Sequence, residues 1–324
     1  MTVRDSIVDY CNSIGLDTVG FIECRIFYEL YDYFHYRNLK LISNEFEEKD
    51  EKKRIDPCIY MKGGKTIISV AFPYLFPKIY KSDIGFSFYT MGEDYHGVVL
   101  KYLNMICSFI ESIGGRAVAL VDSNALPERY IAKLAGIGFI GKNNTLITPK
   151  YGSYVFLGEV ITDIDIDADV DNILNCGCGS CDLCLKACPT KAISRNNYNI
   201  CMSYITQKKS IDDEWFFKFQ GRLFGCDVCQ NVCPYNKNMH FSHIPEFKPF
   251  DFMEHINLNE IINMDNKIFR QKYGRTSCGW RGKNIIIRNG LINAFTLSKE
   301  IEIKNMRSPY VKYYYDRLLQ LFNL

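Results

Sequence analysis

Nine of the 14 cysteines fall between Cys176 and Cys233, and their spacing suits metal chemistry better than packing. Cys178-x2-Cys181-x2-Cys184-x3-Cys188-Pro189 follows the iron–sulfur loop pattern C-x2-C-x2-C-x3-C-P, in which three thiolates wrap one cube and the fourth serves another. A second run, Cys226-x2-Cys229-x3-Cys233-Pro234, lacks its first cysteine, because Leu223 occupies that position. Cys201, which lies between the two runs, makes up the number. Eight thiolates then divide into two sets of four. Cys178, Cys181, Cys184 and Cys233 would hold one 4Fe–4S cluster, and Cys188, Cys201, Cys226 and Cys229 the other. Paired C-x2-C knuckles also bind zinc, but zinc does not account for two C-P endings with the same x3 spacing. Cys176 is left over, as a neighbouring ligand or a free thiol. Cys11, Cys24, Cys58, Cys107 and Cys278 are scattered and read as small buried hydrophobes.

Two clusters conduct electrons but transform no substrate, so other residues must do so. In Val121-Asp122-Ser123-Asn124-Ala125-Leu126-Pro127-Glu128-Arg129, Asp122 ends an apolar strand. An acid at the C-terminal end of a parallel strand lies where α/β sheets place ligands; the same residue would equally cap the following helix. Gly136 to Asn143 contains both G-x-G-x-x-G and G-x-x-x-x-G-K. It follows a helix, where a dinucleotide fingerprint follows a strand, and Asn143 stands where a phosphate loop needs Ser or Thr. A Gly-rich turn between helix and strand is the simpler account. Further on, Lys267, Arg270, Lys272, Arg275, Arg281, Lys283 and Arg288 occur with no acid among them, interleaved with Phe269, Tyr273 and Trp280. Such a segment either grips phosphates and stacks on unpaired bases or forms a solvated basic surface.

The elements that must position these residues follow from periodicity. Helices are expected over 1–14, from Ile26 to Leu41, over Tyr95–Ile113 (stopped by Gly114-Gly115) and over Pro127–Ala135. Strands are expected at Asp17–Ile22, Lys65–Phe72, Ala117–Val121 and Tyr154–Ile161. The mixed charges of Glu45–Arg54 read as a solvated helix face. The alternating Ile and Asp of Ile161–Asn172 reads as an edge strand or linker and marks a boundary, since the Gly and Glu of a calcium loop are absent. Three regions result: an α/β domain over 1–172, a two-cluster ferredoxin-like domain over 173–240, and a helical region over 241–324 with Ile285–Leu297 and Tyr310–Leu321 its clearest helices.

The chain has 324 residues, 47% hydrophobic and 23% charged, with 39 Lys+Arg against 37 Asp+Glu. That balance excludes a generally polybasic nucleic-acid binder but not a local basic patch. No apolar run approaches a membrane span, and the N-terminus lacks a signal-peptide core, so a cytoplasmic, membrane-free protein is expected.

In order, the chain carries Pro57 to Pro73-Tyr74, Asp94-Tyr95-His96, the Val-Asp-Ser-x4-Glu-Arg segment, Ala135 to Asn143, Gly152 to Glu159, the cysteine runs, Cys201 to Thr206, and Trp280-Arg281-Gly282 with Arg288-Asn289. Together these resemble the epoxyqueuosine reductase family. The resemblance implies a base-off cobalamin between the α/β and cluster domains, and reductive removal of the epoxide oxygen of epoxyqueuosine in the tRNA anticodon loop. It implies Asp122 as the proton donor, which suits an epoxide opening to an alkoxide. Leu146, Leu157 and Ser203 would contact the corrin, with Lys142 and Asn143 nearby, and the C-terminal part would be HEAT-like. An external low-potential electron donor and a monomeric enzyme are expected. Departures from the family pattern are Phe139 in place of the usual Trp, a displaced Pro127, and little more than one helical repeat at the C-terminal end. Two other readings stay open: a related corrinoid reductase acting on a small molecule, such as a dehalogenase, which would bind corrin but not tRNA, and a two-cluster electron carrier, which would bind no corrin.

Overall fold

The computed structural model describes residues 2–77, 82–168, 174–304 and 306–323. The boundary expected at 172, with Asp169 and Asp171, lies outside them.

Strands β1 (Val19–Glu23), β2 (Thr66–Pro73), β4 (Ala117–Leu120) and β7 (Val155–Thr162) form one sheet in the order β1-β2-β7-β4. Every neighbouring pair is antiparallel. Asp122 therefore does not end a parallel strand, and the sequence argument that placed it by analogy with parallel sheets is corrected. β2 is buried along its whole length, as expected of a β-branched run covered on both faces. On one face Ile68, Val70 and Phe72 pack against helices α1 (Val3–Ser13) and α4 (Tyr95–Ser112). On the other, Ile67 and Ala71 pack against α5 (Glu128–Leu134) and residues from α2 (Tyr31–Leu39) and α3 (Glu51–Ile55). Leu103, Ile106 and Ile110 supply the apolar stripe of α4 at three- and four-residue spacing.

The charged stretch Glu45–Arg54 is largely exposed, as expected, but Glu47 and Arg54 turn partly inward. Glu47 pairs with Arg37 at 2.8 Å and with Arg54 at 3.1 Å, and Arg54 lies over the Phe34 ring at 3.8 Å. The knot pins α2 to the segment that follows it.

Of two further short pairings, the first connects the regions. β3 (Gly85–Phe86) pairs in parallel with β8 (Arg222–Phe224), and β5 (Phe139–Ile140) folds back on β6 (Leu146–Ile147). The first carries N-terminal residues into the third core, where Ile84, Phe86 and Met91 pack with Phe216, Phe224, Ile286 and Leu291. That core spans the expected division at 240, joining the cysteine-rich segment to the helices Lys283–Thr296 and Pro309–Phe322. At the seam, Asn236 Oδ1 accepts the Ser153 N–H at 2.8 Å, and Tyr154 donates to Asn231 at 2.8 Å. Gly152 has φ +58°, and a Cβ there would fall 2.0 Å from Asn236 Oδ1, so the approach requires glycine.

Candidate active site

Asp94 caps α4, accepting the His96 backbone N–H, and the same carboxylate oxygen meets His96 Nδ1 at 2.7 Å. Capping thus fixes the ring at the first turn of the helix. The other ring nitrogen, Nε2, lies 2.9 Å from Asp122 Oδ2. Asp122 follows β4 with φ +44°, a left-handed conformation that a non-glycine residue adopts at a cost. It does not cap the next helix. Pro127 holds that position, and the Asp122 N–H donates to Glu128 Oε1 at 2.7 Å.

The charges follow from these contacts. Hydrogen bonds from Asp122 and then Asp94 push the His96 imidazole up to about 10, outweighing desolvation. Burial raises the Asp122 carboxyl, but the His96 hydrogen bond and charge, with a hydrogen bond from Tyr95, leave it below its usual range. At neutral pH the mobile proton rests on His96 and Asp122 is ionised.

Cys178, Cys181, Cys184 and Cys233 line one cavity of about 220 Å³ together with Lys142, Asn143 and Tyr235. Lys142 Nζ donates to the carbonyls of Gly179 (2.7 Å) and Cys181 (2.9 Å), tying the glycine turn to the cysteine loop. Cys176 is exposed but hydrogen-bonds Cys178. Cys188, Cys201, Cys226 and Cys229 gather separately. Burial, then the proximity of Cys201, Cys226, Asp227 and Cys188, raises the Cys229 thiol well above its ordinary value. Burial raises the Cys201 and Cys226 thiols too, whereas at Cys188 burial is outweighed by hydrogen bonds from the Ile193, Thr190 and Ala192 backbone, which lower the thiol. A polynuclear cation would compensate four thiolates gathered here. Cys11, Cys24, Cys107 and Cys278 are buried as expected, whereas Cys58 is exposed.

Comparison with known proteins meets this geometry at the same residues. The family model for epoxyqueuosine reductase QueG matches residues 54–123, which contain Asp94, His96 and Asp122. The model for a 4Fe–4S double cluster binding domain matches 177–236, which contain all eight cysteines. An epoxyqueuosine reductase of Bacillus subtilis is 35% identical over 303 residues, covering 90% of this chain and 78% of its own length. The chain belongs to the epoxyqueuosine reductase family.

A family member from Lactococcus garvieae is also 35% identical, over 89% of this chain and 85% of its own. Among solved structures, an epoxyqueuosine reductase with an epoxyqueuosine-modified tyrosine tRNA stem loop superposes with a TM-score of 0.89 at 29% identity, covering 99% of each chain. The Bacillus subtilis epoxyqueuosine reductase, solved with its catalytic aspartate loop swung out of the active site, gives 0.85 at 34% identity over 92% of this chain and 82% of that one. Membership in a reductase family sets aside the bare electron-carrier reading.

The residues expected at a cofactor are spread around the seam. Leu146 is buried in the core beside α5, and Leu157 on β7 is half-buried against that same core. Asn143 is buried, and its Nδ2 has no partner among the described residues. Ser203 lies across the seam in the turn Met202–Ile205, where it hydrogen-bonds Tyr89. Burial and then the charge of Asp227 raise the Tyr89 hydroxyl, and burial and then the charge of Asp122 raise that of Tyr95. Tyr89 and Glu128 escaped the sequence reading; only Glu128, inside the Val-Asp-Ser-x4-Glu-Arg segment, carried a signal.

The basic segment is only partly a surface. Arg288 is wholly buried and donates to the carbonyls of Thr206, Lys208 and Lys209. Arg281 donates to Gln207 O and stacks on Trp280, and Lys272 pairs with Glu260. Lys267, Arg270 and Arg275 remain exposed. Among the described residues no helix is long and apolar enough to cross a membrane.

Proposed function

We propose that this chain reduces epoxyqueuosine to queuosine in the tRNA anticodon loop, using two 4Fe–4S clusters and a base-off cobalamin as its redox groups. Removing the epoxide oxygen as water consumes two electrons and two protons. Asp122 delivers one proton to the oxygen released as the C–O bond opens, His96 holds that proton on Nε2 beforehand, and the second proton of the water comes from solvent. Asp94 holds the ring from the other side, so that the proton moves along a fixed line from His96 Nε2 to Asp122 Oδ2 to the substrate oxygen. Tyr95, hydrogen-bonded to Asp122, orients the carboxylate.

The cysteine sets are Cys178, Cys181, Cys184 and Cys233, and Cys188, Cys201, Cys226 and Cys229. The first lines an open cavity, which suits entry of electrons from an external low-potential donor. The second lies near the seam, since Cys201 is two residues from Ser203. Lys142, Asn143, Leu146, Leu157 and Ser203 would hold the corrin. The unpartnered Asn143 Nδ2 fits this role, because a corrin rim carries amide carbonyls that accept from such a donor. Cobalamin, when bound, supplies the low-valent cobalt needed for the difficult reduction, while the protein orients and protonates. We take the Asp122 loop as the counterpart of the aspartate loop swung out of the active site in the Bacillus subtilis structure; here Asp122 is engaged with His96.

The observation that carries the reading is the convergence of the family match with the Asp94–His96–Asp122 chain. Anaerobic reconstitution with iron, sulfide and cobalamin, then nucleoside analysis of a tRNA stem loop carrying epoxyqueuosine, tests it. Queuosine is expected; unchanged epoxyqueuosine from protein loaded with all three would overturn it.

A further inference from the structure

A second pair of carboxyls lies behind Asp122, outside the proton path just described. Glu128, at the first position of α5, presents Oε1 to the Asp122 backbone N–H at 2.7 Å and to Asn124 Nδ2 at 3.1 Å. Asp122 is held at φ +44° while its carboxylate reaches His96 in the other direction. A strained conformation of this kind persists only when its surroundings over-determine it. Among the hydrogen bonds of the turn, the Glu128 carboxyl is the one that grips Asp122's own backbone. A second fastening lies further along, where the Tyr60 hydroxyl accepts the Ala125 N–H at 2.7 Å.

Glu128 is backed by Glu159 on β7. Glu159 is fully buried, and neither carboxyl oxygen has a hydrogen-bond partner among the described residues. Ser69, opposite it in the β2–β7 register, is likewise buried with an unpartnered hydroxyl. Burial, then the nearby Glu128, pushes the Glu159 carboxyl well above its usual value. Burial and the charge of Asp122 raise Glu128 as well. Apolar residues of similar volume would pack here at lower cost, and such costs concentrate where a site needs them.

We propose that Glu128 is a positioning residue for Asp122, its carboxyl holding the 122–127 turn in the conformation that brings the acid onto His96. The proposal rests on the reading of Asp122 as the proton donor. What it requires of Glu128 is an acceptor at Oε1, which glutamine retains and leucine lacks. The test compares Glu128→Gln and Glu128→Leu in the reconstituted enzyme, by steady-state kinetics on the modified stem loop and by amide hydrogen exchange over 121–127. The glutamine variant should keep kcat within roughly threefold and leave exchange unchanged. The leucine variant should lose about 10- to 100-fold in kcat at unchanged KM, with faster exchange over 121–127 and parental iron and cobalamin content. Parental exchange and kcat in Glu128→Leu would overturn the proposal, as would a Glu128→Gln variant as impaired as Glu128→Leu. Should the parent enzyme leave epoxyqueuosine untouched, the functional reading fails, while the exchange comparison still decides whether Glu128 holds the turn.

Discussion

His96 lies between two carboxylates, with Nδ1 at 2.7 Å from Asp94 and Nε2 at 2.9 Å from Asp122. An imidazole so placed stays protonated far above the free-histidine value of 6.5, up to about 10. The stability this contributes is fully present below pH 6.5 and is lost as pH rises through about 10. The Asp122 share is present above 3.8 and is lost only as pH falls through its lower folded value.

Imidazole NMR measures the first consequence directly. His96 should remain protonated at pH 8, and its titration should move to lower pH in Asp122→Asn, because the hydrogen bond to Asp122 is the leading cause of the shift. Titration near 6.5 in the parent would contradict the arrangement.

Cys201→Ser tests the division of the cysteines. The reconstituted parent should hold about eight irons and the variant about four, since one cube loses its fourth thiolate. A variant with parental iron content and unchanged cluster spectra would remove Cys201 from the ligand set.

Arg288→Leu should behave as a core lesion, not as a binding lesion. It leaves the Lys208 carbonyl without its donor and removes one of the donors to the Thr206 and Lys209 carbonyls, at a cost of about 1–3 kcal/mol. Thermal unfolding should show a clear drop in Tm, and an unchanged Tm would contradict the buried role.

These cases mark what was legible in the sequence. The double-cluster segment could be read because cysteine spacing on a loop is a local property. β2 and α4 were legible because their apolar periodicity is local too. Arg288 was not, since a basic residue in a helix carries no mark of whether carbonyls distant in sequence will surround it. The direction of β4 was equally hidden, because alternating helices and strands fit an antiparallel sheet as well as a parallel one. By its type and place Asp122 read equally as a ligand-site acid and as a helix cap; only the fold showed its backbone turned toward Glu128 and its carboxylate toward His96.

The RNA surface should rest on the cations that remain exposed. Changing Lys267, Arg270 and Arg275 together to Ala should weaken stem-loop binding and lower its salt slope by about one for each phosphate no longer neutralised. Unchanged affinity and slope would remove this segment from the interface.

The central claim is that Asp122 protonates the substrate oxygen, and the decisive measurement is single-turnover conversion of an epoxyqueuosine stem loop by parent and Asp122→Asn enzymes matched for iron and cobalamin. The account predicts queuosine from the parent and a rate lower by about 100- to 10,000-fold in the variant. Queuosine formed by Asp122→Asn at the parental rate would contradict it.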